Sequence, residues 1–235
     1  MLDGLSLFFP CHNEEANVEA VITEALRVAP EVATAFEVII VDDGSSDRTA
    51  ELANRAAARG FPVRIVRHAQ CLGYGAAVRS GLRAARYPWI FFSDGDGQFD
   101  LQELPRLVDK TGEADMIAGY RTKRADPFHR VLNAWIYEQA LALLIGLHMR
   151  DVNCAFKLFR ADVFNQMDLK SSGALINAEI FATAKRKGFT VRSVGVSHRP
   201  RKAGEQTGAK ARVILKAIRE FWSLWRYLNL PHEQH

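Results

Sequence analysis

The first 118 residues alternate between short apolar runs and segments with helical spacing, and this pattern limits the fold more than any other feature of the chain. Five runs rich in Val, Ile and Phe are predicted to be strands: residues 5–9, 36–42, 62–67, 89–93 and 115–118. Four segments repeat apolar residues every three or four positions and are predicted to be helices: residues 14–28, 47–59, 76–86 and 101–110. Strands that are apolar on both faces and separated by helices indicate an α/β fold, with a mainly parallel central sheet and helices on both of its faces.

The second half of the chain has a less regular pattern. It predicts, in order, a helix, a strand, a helix, a strand, a polar loop and a final helix: residues 128–147, 152–160, 174–187, 190–196, 197–209 and 210–228. Because no linker, repeat or low-complexity tract interrupts the sequence, residues 1–235 are predicted to form a single domain. A composition of 48% apolar and 25% charged residues excludes a disordered or collagen-like chain.

The cysteines and the apolar runs indicate in which kind of compartment the protein is expected. Three scattered cysteines without a Cys-x-x-Cys pair make a disulfide or a cysteine-type zinc site unexpected and favour a reducing compartment. The longest apolar run, residues 140–147, is far shorter than the roughly 20 residues that cross a bilayer. The N-terminal residues have neither the basic segment nor the apolar core of a signal peptide. We therefore expect a soluble or peripheral protein.

The positive charge is concentrated near the C-terminus. The chain has a net charge of +4, and residues 199–226 contain eight basic residues but two acidic ones. On a helical projection of residues 210–228, aliphatic and aromatic residues including Trp222 and Trp225 share one arc, and basic residues including Arg226 lie opposite. This pattern fits an interfacial helix on an anionic membrane, and it fits equally a helix packed on the sheet with a basic outer face. Nucleic-acid binding is not expected, because the sequence contains no recognised binding motif.

Three polar clusters follow predicted strands, at residues 11–14, 42–47 and 93–98. In parallel α/β sheets, ligands bind outside the carboxyl ends of the strands. These clusters are therefore the candidates for the functional site.

Asp94 and Asp96 lie two residues apart, directly after the apolar run 89–93. Two carboxylates at this spacing can share one Mg²⁺ or Mn²⁺ ion, which completes its shell with water and substrate phosphates. The residue between them, Gly95, lets another molecule approach the backbone. The alternative is an Asp-Gly turn that closes the strand.

The other two clusters also have structural interpretations. Ser45 or Ser46 is predicted to cap the helix that follows residues 42–47, but the acidic residues before them exceed what a cap needs and suit hydrogen bonds to a base or ribose. In the first cluster, Asn13 is predicted to be the N-cap of the first helix and Glu14 a residue of its first turn. His12 has the pattern of a surface-loop histidine.

Taken together, the motifs resemble those of family 2 glycosyltransferases, and among these the dolichyl- and polyprenyl-phosphate sugar synthases, such as dolichyl-phosphate mannose synthase. The resemblance covers residues 4–228 and is carried by motifs in a fixed order: Pro10-x-x-Asn13-Glu14, Val41-Asp42-Asp43-Gly44-Ser45, Leu72-Gly73-x-Gly75, Asp94-x-Asp96-x-Gln98, Gly119-x-Arg121, Arg130, residues 151–160, Glu179 and Arg201-x-x-Gly204. It implies a GT-A type fold with a nucleotide-sugar half at 1–119, an acceptor half at 120–209 and an amphipathic helix at 210–230.

The resemblance also implies roles for individual residues. The expected contacts to the nucleoside and donor are Pro10, His12, Asn13, Glu14, Val41, Asp43 and Gly95. The expected ligands of Mg²⁺ or Mn²⁺ are Asp94, Asp96 and Gln98. Arg121 and Arg130 are expected to bind phosphates and, with Asp94 and Asp96, to be catalytic, while Arg201 is expected to close a loop over the donor.

The function implied is an inverting, metal-dependent transfer of sugar from a GDP- or UDP-sugar to a polyprenyl phosphate. The protein is then expected to be cytoplasmic and peripheral at the cytosolic face of a membrane, with a homo-oligomer or a membrane-anchoring subunit as a partner. One alternative is a family member with a saccharide or other hydroxyl acceptor, which needs a carboxylate base such as Asp151 or Glu179. Another is a non-catalytic, membrane-associated subunit with the same fold.

Overall fold

The computed structural model describes residues 1–122 and 128–200 together with Trp222, Trp225 and Arg226, and the backbone alone at 128–134 and 144–145. Within these residues, seven strands form one sheet in the order β3-β2-β1-β4-β6-β5-β7. The strands are β1 Leu5–Cys11, β2 Phe36–Asp42, β3 Val63–Arg67, β4 Trp89–Ser93, β5 Met116–Arg121, β6 Phe156–Arg160 and β7 Val191–Val196. The helices are α1 Val18–Val32, α2 Thr49–Ala58, α3 Tyr74–Ala84, α4 Leu104–Val108, α5 Phe128–Ile145, α6 Ala161–Asn165 and α7 Ile176–Arg186.

The predicted α/β class and mainly parallel sheet are confirmed, since β6 alone among the described strands runs antiparallel to its neighbours. Several segments differ from the predictions. Helix α1 covers Val18–Val32 instead of residues 14–28, and α6 was not predicted. The segment 101–110 divides into a short 3₁₀ turn, Leu101–Glu103, and α4. The strand predicted at 152–160 begins only at Phe156, because Cys154 N–H donates to the carbonyl of Asp151 (2.8 Å) and closes a turn before it.

The core lies on the central strands. Every residue of β1 is buried, and since alternate side chains of a strand point to opposite faces, both faces of the sheet are covered there. The rings of Phe8 on β1 and Phe92 on β4 stack with centroids 5.2 Å apart. Helix α3 packs closely on β1, and a Cβ at Gly81 would lie 2.2 Å from the ring of Phe8. This contact requires glycine at position 81.

The topology brings the polar clusters to one edge. Strands β1, β2 and β4 are parallel, so the residues that follow them lie at the same end of the sheet. Because β6 is antiparallel to both β4 and β5, the carboxyl ends of β5 and β4 share this edge, and Arg121 ends β5 there. The segment before β6 arrives at the same place, since Phe156 pairs with Ser93.

Two further findings concern the sequence-based expectations. In the described part of the chain, no helix has both the length and the apolar character needed to cross a membrane. All three cysteines are free thiols, with Cys11 and Cys154 buried and Cys71 exposed.

Candidate active site

Asp94 and Asp96 follow β4 as half-buried residues at the edge of the sheet. Asp94 Oδ1 is buried without a hydrogen-bond partner among the described residues. Burial, and then the charge of Asp96, raise the pKa of Asp94 to about 7, although Tyr74, Lys157 and Arg121 act in the opposite direction. The site thus holds a carboxylate that lacks part of its solvation.

A divalent cation fits this arrangement. A buried carboxylate oxygen without a donor is costly, and a bound cation would satisfy it. Among the described residues, no group of three or more His, Cys, Asp or Glu side chains is placed to hold a metal. Mg²⁺ is usually bound by one or two carboxylates together with water and substrate phosphates, and Asp94 and Asp96 would suffice for such a site.

Gly95 lies against the end of β1. Its N–H donates to the carbonyl of Pro10 (3.2 Å), and a Cβ at this position would be 2.3 Å from Cys11 Sγ. A larger residue would push the Asp94 loop away from β1. The requirement for glycine here is therefore a matter of packing, and a contact with the donor stays a prediction.

Gln98 connects the Asp94 loop to the segment after β7. Its Nε2 donates to the carbonyl of Arg199 (2.9 Å), and its own carbonyl accepts from Arg199 N–H (2.8 Å). The next residues form an antiparallel bridge between Phe99 and His198. Gln98 thus fixes the chain just before position 201, while Arg201 itself lies outside the described residues. The metal-ligand role predicted for Gln98 stays a prediction.

The carboxylate of Asp43, at the end of β2, is saturated with hydrogen bonds. It accepts from the backbone N–H groups of Leu72 and Gly73 (both 2.8 Å) and is 2.7 Å from His68 Nδ1. Burial acts to raise the pKa of Asp43, but the bonds from His68, Leu72 and Gly73 outweigh it, so the pKa is lowered. Asp43 therefore anchors the loop between β3 and α3 to the end of β2.

The loops after β1 and β2 are hydrogen-bonded to each other. Asn13 has a left-handed φ of 56°, and its Oδ1 accepts from Ser46 N–H (2.9 Å), while its own N–H donates to Ser45 Oγ (2.9 Å). Helix α1 begins four residues after Glu14, at Val18. The predictions that Asn13 caps α1 and that Glu14 lies in its first turn are therefore wrong.

The predicted cap of α2 is wrong as well. Ser45 and Ser46 are hydrogen-bonded to Asn13. The helix begins at Thr49, whose N–H donates to Asp47 Oδ1 (2.9 Å). The physical reason is the same for both helices. The polar groups of two adjacent loops are hydrogen-bonded to each other, which is possible because the sheet places the loops side by side.

The remaining predicted nucleoside contacts surround this pair of loops. His12 is exposed, with Nδ1 2.8 Å from the carbonyl oxygen of Asp43, whereas Glu14 is buried and accepts from Asn17 Nδ2 (2.7 Å). Pro10 is buried at the end of β1, and the side chain of Val41 is fully buried in the core. A pocket of about 390 Å³ opens beside them, lined by Gly44, Ser45, Arg67, His68 and Ala69.

Arg121 is held by Asp151. Its Nε and NH2 atoms each donate to a different oxygen of Asp151 at 2.7 Å, and its N–H donates to the same carboxylate at 2.9 Å. Both side chains are largely buried, with 15% and 6% exposed. Because both carboxylate oxygens accept from Arg121, Asp151 orients a cation and is poorly suited to act as a base. Arg130 lies on α5, and its side chain is outside the described part of the molecule.

Glu179, the other candidate base, also has a structural role. Its two oxygens accept from the N–H groups of Lys170 and Ser171, each at 2.8 Å, and the residue is buried. It therefore fixes the loop that precedes α7.

Three residues at the site had no assigned role in the sequence: Tyr74, Lys157 and Asn177. Lys157 lies in the buried strand β6, where a lysine among Phe and Leu residues is itself a signal of function. Tyr74 occupies the variable position between Gly73 and Gly75. Asn177 has no distinguishing pattern in the sequence, and its place at the site was visible only in the structure.

The family assignment follows from comparison with known proteins. Residues 6–168 match the model of glycosyl transferase family 2. The chain belongs to this family. Family membership confirms the resemblance found in the motifs and places the chain among the glycosyltransferases.

Two curated relatives are named for transfer to polyprenyl phosphates. The dodecaprenyl-phosphate galacturonate synthase of Rhizobium johnstonii is 32% identical over 169 residues, which are 70% of this chain and 50% of the relative. The undecaprenyl-phosphate 4-deoxy-4-formamido-L-arabinose transferase of Pseudomonas aeruginosa is 31% identical over 168 residues, 71% of this chain and 50% of the relative. This chain therefore spans about half the length of these relatives.

A solved structure confirms the GT-A type fold. Glucosyl-3-phosphoglycerate synthase from Mycobacterium tuberculosis, in complex with Mn²⁺, UDP and glucosyl-3-phosphoglycerate, aligns with a TM-score of 0.73 and 21% identity. The alignment covers 98% of this chain and 82% of the synthase. At this identity the likeness concerns the fold.

Proposed function

We propose that this chain is the catalytic domain of an inverting, metal-dependent glycosyltransferase that moves a sugar from a nucleoside-diphosphate sugar to a polyprenyl phosphate. The main support is the Asp94 carboxylate, whose buried Oδ1 has no donor among the described residues, beside Asp96. Arg121 ends β5, which runs parallel to β4 with β6 between them, at the same edge of the sheet, and its charge acts to lower the pKa of Asp94. Cation and phosphate sites would then adjoin.

Asp94 and Asp96 would hold Mg²⁺ or Mn²⁺ together with the diphosphate of the donor. When bound, the cation neutralises the negative charge that develops on the departing nucleoside diphosphate. The chain's own contribution is to hold the two carboxylates at the end of a buried strand. Gly95, packed on Cys11 and Pro10, keeps that loop close to β1.

The acceptor is proposed to be a phosphate because both candidate bases for a hydroxyl among the described residues, Asp151 and Glu179, are engaged in hydrogen bonds. A phosphate monoester is already ionised at neutral pH, whereas a hydroxyl must lose a proton during the transfer. Asp151 is engaged by Arg121, and Glu179 by two backbone N–H groups. Arg121, held rigidly by Asp151, is pre-organised to grip a phosphate.

The donor is proposed to be a UDP- or GDP-sugar, with its nucleoside near the 390 Å³ pocket beside the ends of β2 and β3. The UDP in the Mycobacterium tuberculosis synthase makes UDP-sugars the first donors to test. Mn²⁺ and Mg²⁺ both occur with UDP in structures of that synthase, which supports a divalent cofactor.

The proposed reaction takes place at the cytosolic face of a membrane, where a polyprenyl phosphate resides. Helix α5 exposes Ile136 and Leu143, which are 52% and 85% exposed and lie two turns apart on one side of the helix. Trp222 and Trp225 are also exposed, at 58% and 36%, beside the exposed Arg226. Exposed apolar residues next to basic ones favour peripheral contact with anionic lipid. Most of the predicted helix 210–228 lies outside the described residues.

The experiment is a transfer assay with the purified chain. A panel of UDP- and GDP-sugars is incubated with a short polyprenyl phosphate and Mn²⁺, and the glycolipid product is measured by mass spectrometry. We expect a glycolipid product with at least one donor and no product when a chelator is present. The sugar in the product should have the anomeric configuration opposite to that in the donor. Transfer to a polyprenol or a saccharide, but not to the phosphate, would contradict the proposed acceptor. Transfer that persists in chelator would contradict the proposed metal.

A further inference from the structure

Arg150 lies in the segment that connects α5 to β6, and it contacts the end of β5 at the edge of the candidate site. Its guanidinium carbon lies over the ring of Tyr120, 4.4 Å from the centroid, which is the geometry of a cation–π contact. Arg150 is exposed, and no carboxylate among the described residues forms an ion pair with it. The guanidinium is therefore held in place by the ring while its N–H donors remain available to a ligand.

The contacts of Arg150 and Asp151 follow those of β5 residue by residue. Asp151 accepts two hydrogen bonds from the guanidinium of Arg121, each at 2.7 Å, and Arg150 stacks on the residue before it, Tyr120. Because both contacts join residues that are neighbours in the chain, the two arginines are brought to the same end of β5. Arg150 thus adds a second guanidinium to the place where Arg121 is proposed to bind a phosphate.

The segment that carries Arg150 is fixed on both sides. Before it, Lys185 Nζ donates to the carbonyl of Gly146 (2.6 Å) and secures the turn after α5. After it, Asp151 has a left-handed φ of 49°, which is uncommon for a residue other than glycine. The hydrogen bonds to Arg121 maintain this conformation, and sparsely populated backbone conformations of this kind cluster at functional sites.

Charge balance gives a reason for a second arginine. Arg121 and Asp151 form an ion pair, so together they have no net charge with which to balance a ligand. A phosphate monoester carries a charge of about −1.5 to −2 at pH 7. Arg150 supplies one full positive charge that no carboxylate of the described residues offsets. A cation–π contact at an exposed position contributes only about 0.5–1 kcal/mol, so stability alone gives little reason to keep it.

We propose that Arg150, oriented by Tyr120, binds the phosphate of the polyprenyl phosphate acceptor together with Arg121. The inference rests on the proposed function, since it names a further residue on the acceptor side of that site. A guanidinium donates two parallel hydrogen bonds to phosphate oxygens and keeps its charge at any physiological pH. The location also suits a lipid, because the exposed Leu143 of α5 lies seven residues before Arg150.

The phosphate of a membrane headgroup has the same chemistry as the phosphate of the acceptor. The two sources differ in one respect that an experiment can use. A headgroup is met only on a membrane, whereas a prenyl phosphate with a short chain dissolves in water. An assay without vesicles therefore reports on the acceptor alone.

The test measures kcat and KM for transfer to a short, water-soluble prenyl phosphate, and the dissociation constant of this acceptor by isothermal titration calorimetry. Arg150→Gln should raise the KM and the dissociation constant of the acceptor by about tenfold or more, because a charge-assisted phosphate contact is lost. The KM for the donor should change much less. Arg192→Gln is the matched control, since Arg192 is an exposed arginine of β7 that pairs with Ile117, four residues before Arg121. Its constants should equal those of the wild type.

Two further substitutions test the ring beneath the guanidinium. Tyr120→Phe keeps the ring and should retain the wild-type KM for the acceptor. Tyr120→Leu removes the ring and should raise this KM about two- to fivefold, which corresponds to the loss of one exposed cation–π contact. Equal KM values for the two variants would overturn the orientation of Arg150 by Tyr120.

Thermal unfolding verifies that each variant is folded. If Arg150→Gln does not fold, Arg150→Lys, which keeps the charge but loses the planar pair of donors, should still raise the KM for the acceptor. Unchanged constants in Arg150→Gln would overturn the inference and leave the proposed function intact. A loss confined to binding of anionic phospholipid vesicles would also overturn it, because Arg150 would then contact a headgroup. A wild type that neither binds the prenyl phosphate nor transfers sugar to it would overturn the proposed function, and the inference with it.

Discussion

The ends of β2 and β4 carry aspartates in similar short motifs, yet the structure gives the two carboxylates opposite environments. Asp43 accepts four hydrogen bonds, from His68, Cys71, Leu72 and Gly73, and its pKa is lowered. Asp94 has a buried oxygen without a donor in the described part of the chain, and its pKa is raised to about 7. A saturated carboxylate stabilises the fold, whereas an unsaturated one is available to a ligand. The same substitution at both sites can test this difference.

The largest expected effect is on catalysis at Asp94. Asp94→Asn should lower the rate of transfer by roughly 1000-fold, because losing the charge stabilisation provided by the cation costs on the order of 4 kcal/mol. The melting temperature should fall little or rise, since the substitution removes a partly desolvated charge. The measurements are steady-state transfer and thermal unfolding, with Asp109→Asn as a control on the exposed surface. If Asp94→Asn remained active, the proposal that Asp94 serves a ligand while Asp43 stabilises the fold would be contradicted.

Asp43→Asn should mainly lower stability. The amide replaces one acceptor by a donor that faces backbone N–H groups, and losing bonds to a buried charge costs about 2–3 kcal/mol. For a chain of this size, that loss lowers the melting temperature by roughly 4–12 °C. Chemical denaturation measures the free energy of unfolding. If Asp43→Asn is as stable as the wild type but fails to bind the donor nucleotide, then Asp43 serves the ligand and not the loop.

Asp151 is a third carboxylate for comparison. Both of its oxygens accept hydrogen bonds from Arg121, which is itself proposed to bind the acceptor phosphate. Asp151→Asn should raise the KM for polyprenyl phosphate by about 30-fold, equivalent to about 2 kcal/mol, because Arg121 loses its bidentate partner. The KM for the donor should change much less. A fall in kcat without a change in KM for the acceptor would instead indicate that Asp151 is a base.

The last comparison of the two carboxylates concerns the pH dependence of stability. The pKa of Asp94 is about 7 in the folded chain, above the ordinary value, so the folded state binds this proton more tightly than the unfolded state does. Its contribution to stability is therefore greatest at low pH and is lost as the pH rises from about 4 to about 7, with a slope of at most about 1.4 kcal/mol per pH unit. Asp43 has the opposite sign, because its lowered pKa contributes stability above about pH 4 that is lost as the pH falls below it.

Comparing unfolding of the wild type with Asp94→Asn between pH 4.5 and pH 7.5 isolates the contribution of Asp94. The wild type should lose stability with rising pH relative to the variant, and saturating Mn²⁺ should reverse the loss, because the cation favours the ionised carboxylate. Parallel curves for the two proteins would show that the Asp94 carboxyl titrates normally.

Much of the site could be predicted from the sequence because local patterns place it. Apolar runs of five to seven residues define β1, β2 and β4, and the polar residues that end each run must lie at one edge of a parallel sheet. The Asp94-x-Asp96 motif, the family and the fold class followed from these linear features. The helix caps did not, because Asn13, Ser45 and Ser46 had partners on another loop that the sequence does not show.

The sequence by itself determined which residues reach the edge of the sheet, since strand position is a local property of the chain. The tertiary structure decided what each of them does there. Asp43 and Asp94 differ because the loop between β3 and α3 presents N–H groups to one carboxylate, while the other has no donor for its Oδ1 in the described residues. Lys157 and Asn177 lie 20 residues apart in the chain and meet only through the packing of α7 near β6. Hydrogen bonding and desolvation depend on neighbours in space. These neighbours determine the pKa of a carboxylate and whether each of its oxygens has a hydrogen-bond partner.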